Sequence, residues 1–348
     1  MLQKQTIKLG FRPAAVGRRM LEVLPERSRD VLVSRFGLAE NPERMTLEAI
    51  GDVYDVTRER IRQIENHAIA LVRKSDALRR EGVVFDELHK TIDELGGLVA
   101  ERELLPLLGR DESARNHIHF LLVLGDPFVK LKEDDEFHHR WHVSTARAEA
   151  VETALRALAE RLERSDLVSD SELVSMFLEE LRSASVLEPR EDVARRYLGV
   201  SKMIGRNPLG EWGHARSSGV RVKGVRDFAY LAIRRHGSPM HFTEVAREIT
   251  RLFGRAAHEA TCHNELIKDS RFVLVGRGLY ALSEWGYAGG VVRDVIRAVI
   301  ERYGPLPRAE LVEKVLKERY VKENTVVVNL ENPKYFKKSA EGMYTFVS

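Results

Sequence analysis

From about residue 83 onward the chain repeats one pattern four times, which points to a string of domains rather than a continuous superhelix. Gly97-Leu98-Val99, Asp166-Leu167-Val168, Ser238-Pro239-Met240 and Gly304-Pro305-Leu306 each follow an amphipathic helical stretch. Each precedes a second helical stretch carrying Glu103-Leu104, Glu172-Leu173, Glu244-Val245 or Glu310-Leu311. A third helical stretch follows, and then a short alternating apolar hairpin: FHHRWHV (137–143), LGEWGHA (209–215), GLYALSEW (278–285) and GMYTFVS (342–348). The units recur about every 65 to 70 residues, longer than a solenoid repeat. Each unit is therefore expected to bury its own small core, and the whole to form a string of domains.

Three helices, a brief strand contact between the first two, and a terminal hairpin make a winged helix. The expected fold class is mainly α with small β-hairpins: a helix-turn-helix domain over residues 20–80, then about four tandem winged helices at 83–144, 147–219, 224–287 and 289–348. Small residues mark linkers at Ser217-Ser218-Gly219 and at 286–290. Trp141, Trp212, Trp285 and Tyr344 fall at equivalent places and are expected in the hairpin cores.

The helix-turn-helix is read from residues 46–63, TLEAIGDVYDVTRERIRQ. Thr46 suits a helix N-cap, and Glu48 puts negative charge in the first turn, where the helix dipole favours it. Leu47 and Ile50 share a face, and Gly51 leaves room for a second helix to cross closely. Tyr54-Asp55-Val56 forms the turn and Thr57 caps the next helix. On that helix Ile61, Ile64, Ala68 and Leu71 are expected to face inward. Arg58, Glu59, Arg62 and Gln63 then lie outward at its N-terminal end. Arginine can grip guanine bidentately, glutamate can accept from cytosine, and glutamine can pair with adenine. A recognition helix contacts bases mainly through its N-terminal residues.

This segment resembles region four of the primary bacterial sigma factors. DVTRERIRQIE (55–65) is nearly that family's signature, and LPERSRDVLVSRFGL (24–38) is similar to its preceding helix. The resemblance implies a domain that binds the −35-type promoter element on double-stranded DNA and docks on the β flap of the RNA polymerase core. It implies base contacts for Arg58, Glu59 and Gln63, a base or phosphate contact for Arg62, and phosphate contacts for Thr57, Arg60 and Lys74. About twenty residues precede the match, a basic tail (1–19) with one aromatic, Phe11. The aromatic-rich promoter-melting domain of a complete sigma factor is not among them, so the chain is not expected to initiate transcription alone. A second resemblance covers residues 224–249 and 269–286. Pro239, Phe242 and the 276–285 hairpin are similar to the HARE-HTH family, which includes the N-terminal domain of the RNA polymerase delta subunit. No site residues follow from it.

The net charge is only +3, so nucleic-acid affinity has to come from local patches. Lys202, Arg206, Arg216, Arg221, Lys223 and Arg226 stand against one acid, Glu211, in residues 202–226. Among these, Arg216, Arg221 and Lys223 are taken as phosphate contacts. Lys334, Lys337 and Lys338 beside Tyr335 and Phe336 form a second basic patch. By contrast, Glu133-Asp134-Asp135-Glu136 at the first hairpin turn would be repelled by phosphates, and is expected to face solvent or a protein partner.

The single cysteine, Cys262, excludes an internal disulfide and fits a reducing cytoplasm. No run of eighteen apolar residues exists, so no membrane span is expected. His138, His139 and His142 would split between two hairpin faces. His258, Cys262 and His263 lack the zinc-protease spacing and a further ligand set. No catalytic residue, metal or cofactor is expected. The leading expectation is a bacterial, cytoplasmic, nucleoid-associated DNA-binding transcription regulator, not an enzyme. The alternative is a winged-helix protein-interaction scaffold in a DNA defence, restriction or repair system.

Overall fold

A computed structural model describes residues 6–186, 190–287 and 290–347. It is mainly helical with small antiparallel sheets, as the periodicity predicts. Residues 1–5 of the basic tail, 288 and 289 of the expected 286–290 linker, and Ser348 of the last hairpin lie outside the described residues. The chain divides into two units, Met1–Gly205 and Arg206–Ser348.

The first unit begins with α1 (Pro13–Glu22), where proline near the start costs no helical hydrogen bond. The expected tail is not free from residue 6 on. Ile7, Leu9 and Phe11 pack on the core, and the Ile7 amide donates to the Leu107 carbonyl at 2.7 Å. Next come α2 (Glu26–Phe36), α3 (Leu47–Tyr54), α4 (Arg58–Lys74) and α5 (Asp76–Arg80). Gly37 ends α2 at φ 63°, and a Cβ there would meet the Pro42 carbonyl at 2.5 Å, so glycine is required. Then follow α6 (Gly82–Glu94), β1 (Leu98–Ala100), α7 (Glu101–Leu108), α8 (Glu112–Leu124), β2 (Val129–Leu131) and β3 (Arg140–His142). The three strands form an antiparallel sheet ordered β1-β3-β2, with Val99 and Lys130 both opposite Trp141.

Residues 20–80 and 83–144 share their larger core. Met20, Leu24, Leu32, Phe36, Ala68 and Val72 share one cluster with Leu88, Ile92, Leu104, Phe120, Leu121 and Trp141. The cause is α8, whose buried side chains (Asn116, His117, Ile118, Phe120, Leu121, Leu122 and Leu124) run round the helix rather than along one stripe. A helix apolar on most sides needs cover on most sides. One side meets its own unit and the other meets α1, α2 and α4.

A polar cluster sits inside this core. Glu101 accepts from Trp141 Nε1 at 2.7 Å and pairs with Lys130 at 2.6 Å. Burial alone would raise the Glu101 carboxyl, but Lys130 outweighs it and the group stays below the usual range. Beside it, burial first and then Lys130 push His119 down from 6.5 to about 3. The unfolded chain therefore takes up this proton first. The contribution of His119 to stability is complete above pH 6.5 and is lost as pH falls from there towards 3. Denaturant midpoints measured across this range should fall with acidification, and less steeply for His119→Asn.

The first unit continues through α9 (Thr145–Glu163), α10 (Asp170–Ser183) and α11 (Glu191–Leu198). The acidic turn at 133–136 is solvent-exposed at Glu133, Asp134 and Asp135, as expected, but three of its acids are paired within the chain. Glu133 pairs with Lys202 at 2.5 Å and Glu136 with Arg156 at 2.7 Å, while Asp134 meets the buried Arg140 at 3.3 Å. The backbone closes the same contact. Phe137, fully buried, bridges to Ser201, and the Lys202 amide donates to the Glu136 carbonyl. Two of the four like charges at the tip, Glu133 and Glu136, are neutralised by cations of the following repeat.

The strands β4 (Ile204–Arg206) and β5 (Trp212–His214) fall where the chain divides. The second unit then holds α12 (Val225–His236), β6 (Met240–His241), α13 (Phe242–Phe253), α14 (Glu259–Lys268), β7 (Phe272–Gly276) and β8 (Leu279–Leu282), with sheet order β6-β8-β7. It ends with α15 (Val292–Tyr303), β9 (Leu306–Pro307), α16 (Arg308–Glu318), α17 (Glu323–Leu330), β10 (Phe336–Lys338) and β11 (Met343–Phe346), ordered β10-β11-β9. Here too a hairpin is held by the next repeat. The Tyr320 amide donates to the Val275 carbonyl at 2.9 Å, and Arg319, 5% exposed, donates to Leu274 O at 2.5 Å. The expected equivalence of the aromatics also changes. Tyr344 lies opposite Leu306, and the residue in that role in the preceding repeat is Tyr280, opposite Met240. Trp285 lies beyond the strand on a 3-10 turn, half-buried, and Trp212 is half-buried as well.

Candidate nucleic-acid interface

Residues 46–63 fold as two capped helices. Thr46 Oγ1 accepts from the Ala49 amide at 3.1 Å, and Thr57 Oγ1 from the Arg60 amide at 3.3 Å. Asp55, at φ 53°, takes the left-handed turn that aspartate tolerates better than most residues. Gly51 is needed for that turn rather than for a crossing helix: a Cβ would meet the Val56 carbonyl at 2.6 Å. Thr57→Ala should cost about 1 kcal/mol in chemical denaturation, the usual loss for a removed N-cap.

Val31, Ile50 and Ile61 form a small core under the turn, with Met45, Leu47, Tyr54, Val56 and Ile64 packed on it. Further along α4 the inward stripe runs through Ala68 to Val72, not Leu71, which is 36% exposed. At 3.6 residues per turn Val72 returns to within about 20° of Ile61, while Leu71 is roughly 80° away.

Arg58, Glu59, Arg62 and Gln63 are all exposed on the opposite face at the N-terminal end of α4. They are engaged with one another and with α3. Arg62 donates twice to Glu59, at 2.8 and 2.7 Å, which holds the Glu59 carboxyl below its usual range. Arg58 pairs with Glu48 at 3.0 Å, and Arg60 donates to Gln63 Oε1 at 3.1 Å. Solvent-exposed pairs of this kind are weak. They keep the donors oriented and yield to a stronger bidentate acceptor. Lys74 is exposed on the stripe of Gln63, about 16 Å further along the axis by helical rise.

Three residues outside the expected set hold this face in place. Arg35 donates to the Met45 carbonyl at 3.1 Å and reaches Glu65 at 3.4 Å. The buried Asn116 of α8 donates to the carbonyls of Gly37 and Pro42, and accepts from Arg44 Nε at 2.7 Å. Nothing local in the sequence marks Asn116, because its partners lie more than seventy positions away.

In the second unit Arg216, Arg221, Lys223 and Arg226 are exposed, and among the described residues none of these side chains has a carboxylate partner within ion-pair distance. Asp227 fixes the backbone beneath them: its carboxylate accepts from the Lys223 and Gly224 amides at 2.9 and 3.1 Å and from Arg271 at 2.9 Å. The other two cations of the expected stripe are engaged. Lys202 is paired with Glu133, while Arg206 donates to the Gly210 carbonyl and lies 5.6 Å from the Trp212 ring. The acid Glu211 faces Arg234 at 3.5 Å. In the last repeat Lys334 and Lys338 lie over Tyr335 and Tyr344.

The histidines do not assemble. His139 Nδ1 accepts from the Glu133 amide, and His142 is buried in β3. Cys262 is buried, with its thiol pushed up to about 12 by burial, and His263 stacks on Phe242 at 4.4 Å. Among the described residues no three His, Cys, Asp or Glu side chains are grouped to hold a metal ion, and no helix is long and apolar enough to cross a membrane.

Comparison with known proteins meets this geometry at the same residues. The family Sigma-70, region 4, matches residues 20–74. The RNA polymerase sigma factor RpoS of Coxiella burnetii is 47% identical over 71 residues, 20% of this chain and 19% of that protein. The sigma factor SigA of a Nostoc species is 49% identical over 55 residues, 16% of this chain and 14% of its own, and RpoD of Neisseria gonorrhoeae is 48% identical over 67 residues, 18% and 10%. The chain thus spans less than a fifth of the length of these relatives. No solved structure matches it.

Proposed function

We propose that this chain is a DNA-binding, RNA polymerase-associated transcription regulator of sigma-factor-like character, in which α4 reads a −35-like duplex. The observation that carries the reading is the outward set Arg58, Glu59, Arg62 and Gln63 at the N-terminal end of a helix capped by Thr57. Each side chain matches a base edge it can recognise, and the segment is the one similar to sigma region four. Thr57, Arg60 and Lys74 contact phosphates beside it. The repeats after residue 82 act as tandem winged helices, the third of HARE-HTH type, in a bacterial cytoplasm. The mechanism is binding, without catalysis or cofactor. Gel-shift titration and footprinting on −35-like and scrambled duplexes test it, and equal affinity for the two refutes sequence reading. A polymerase core with an intact β flap should be retained by the immobilised chain, and a flap-deleted core should not.

Arg216, Arg221 and Lys223 add sequence-independent phosphate contacts. Replacing all three by alanine should reduce the slope of log K against log salt by about 2.7, since each neutralised phosphate contributes about 0.9. An unchanged slope removes them from the interface.

One observation favours a second reading, a protein-docking scaffold in DNA defence or repair. Two of the hairpins are held by following repeats through backbone and charge contacts, the manner of a protein–protein surface. Recovery of nuclease or repair proteins from the chain's own host, without polymerase, would support it.

A further inference from the structure

The third helix of the repeat at 83–144, α8, occupies the position from which a winged helix would enter a groove, yet its apolar side chains face inward on nearly every side. It cannot lie against α1, α2 and α4 and also read DNA. We propose that α8 instead serves as the positioning element for the reading helix α4, with Asn116 as the residue that sets it. The inference rests on the reading of α4 proposed above.

Two grips support it, at opposite ends of the helix-turn-helix. At one end Asn116, 2% exposed, spends both amide hydrogens on the Gly37 and Pro42 carbonyls, at 3.0 and 2.8 Å, and its oxygen accepts from Arg44. This fixes the loop that delivers the chain into α3. Arg35 carries the constraint onward, joining the Met45 carbonyl at the start of α3 to Glu65 on α4. At the other end Arg73, in the last turn of α4, donates to the Val123 carbonyl of α8 at 2.7 Å. Between the grips, Ala68 and Val72 of α4 lie in the same core as Phe120 and Leu121. The direction of α4 is thus set by a helix outside the region-four segment. A hydrophobic core alone tolerates small rotations, whereas three directional hydrogen bonds on one buried amide do not.

Base reading needs the arginine fork aimed to within a fraction of an ångström, whereas phosphate attraction does not. The test follows from that difference. Affinities of the full-length chain for a −35-like and a scrambled duplex are measured for wild type, Asn116→Ala, Arg44→Ala, Arg62→Ala and the Asn116→Ala/Arg62→Ala pair. Arg44 lies on an exposed loop, so its variant retains the fold even if Asn116→Ala does not. The ratio of specific to scrambled affinity should fall about tenfold for Asn116→Ala and several-fold for Arg44→Ala, with scrambled binding unchanged. The double variant should lose less than the sum of its parts, as coupled sites do. A merely structural role would lower both affinities together, by the unfolded fraction. An equal loss on both duplexes, or an unchanged ratio in both Asn116→Ala and Arg44→Ala, overturns the proposal. If Arg62→Ala itself leaves the ratio unchanged, the base-reading assignment fails and the positioning role falls with it. If only Arg62→Ala lowers the ratio, the positioning role fails alone.

Discussion

Arg62→Ala is expected to weaken binding to a −35-like duplex by roughly ten- to a hundredfold, with binding to scrambled DNA kept within about twofold. The side chain is more than half exposed, makes no core contact, and is held by Glu59 with its fork already extended. Removing it costs the fold little, so the lost affinity reports the contact itself. Arg62→Lys separates the two roles open to this residue. Lysine keeps the charge but lacks the planar pair of donors. If Arg62 reads a base, the lysine variant should resemble alanine. If it holds a phosphate, lysine should restore binding, and alanine should weaken both duplexes equally. Gel shifts on the two duplexes at one fixed salt concentration decide between them.

Phe120→Ala should cost about 3–5 kcal/mol, as large-to-small changes in well-packed cores do. Phe120 is fully buried and lies 5.2 Å from Phe36 between ring centroids, so the cavity opens between α8 and α2. The informative readout is where protection is lost. Because residues 20–80 and 83–144 share a core, hydrogen exchange should rise together in α2 to α4 and in α6 to α8. Faster exchange confined to α6 to α8 would show that the helix-turn-helix stands by itself.

The parts of this protein legible in its sequence are those decided within one or two helical turns. Thr46 and Thr57 could be read as caps because capping joins residues three apart. The outward set on α4 followed from the same periodicity, which failed only at Leu71, where a pattern of tens drifted off a stripe that continues through Val72. What escaped depends on partners distant in the chain. The acidic turn at 133–136 reads as unpaired until Lys202 and Arg156 are brought to it. Asn116 reads as one of several polar residues in the first half of α8, and Arg44 as a loop cation. The apolar run of α8 announces burial on several sides, but sequence cannot say that the second side belongs to α1, α2 and α4. The hairpin aromatics were misaligned at Trp285 because an aromatic near a strand end looks the same before or after the strand closes.

The division of labour on α4 has a consequence for anyone wishing to retarget or transplant this protein. Its letters and its mounting are separate sets of residues: 58, 59, 62 and 63 face out, and 61, 68 and 72 face in. The address can therefore be rewritten by substitution without disturbing the mounting. The mounting does not travel with the segment that matches sigma region four. A chimera cut near residue 80 would expose Leu32, Phe36, Ala68 and Val72, which α8 now covers. A cassette that carries the α8 lid starts at about residue 6 and includes residue 144, and it keeps the partners of Phe137 and of the acidic turn only if it extends through Lys202.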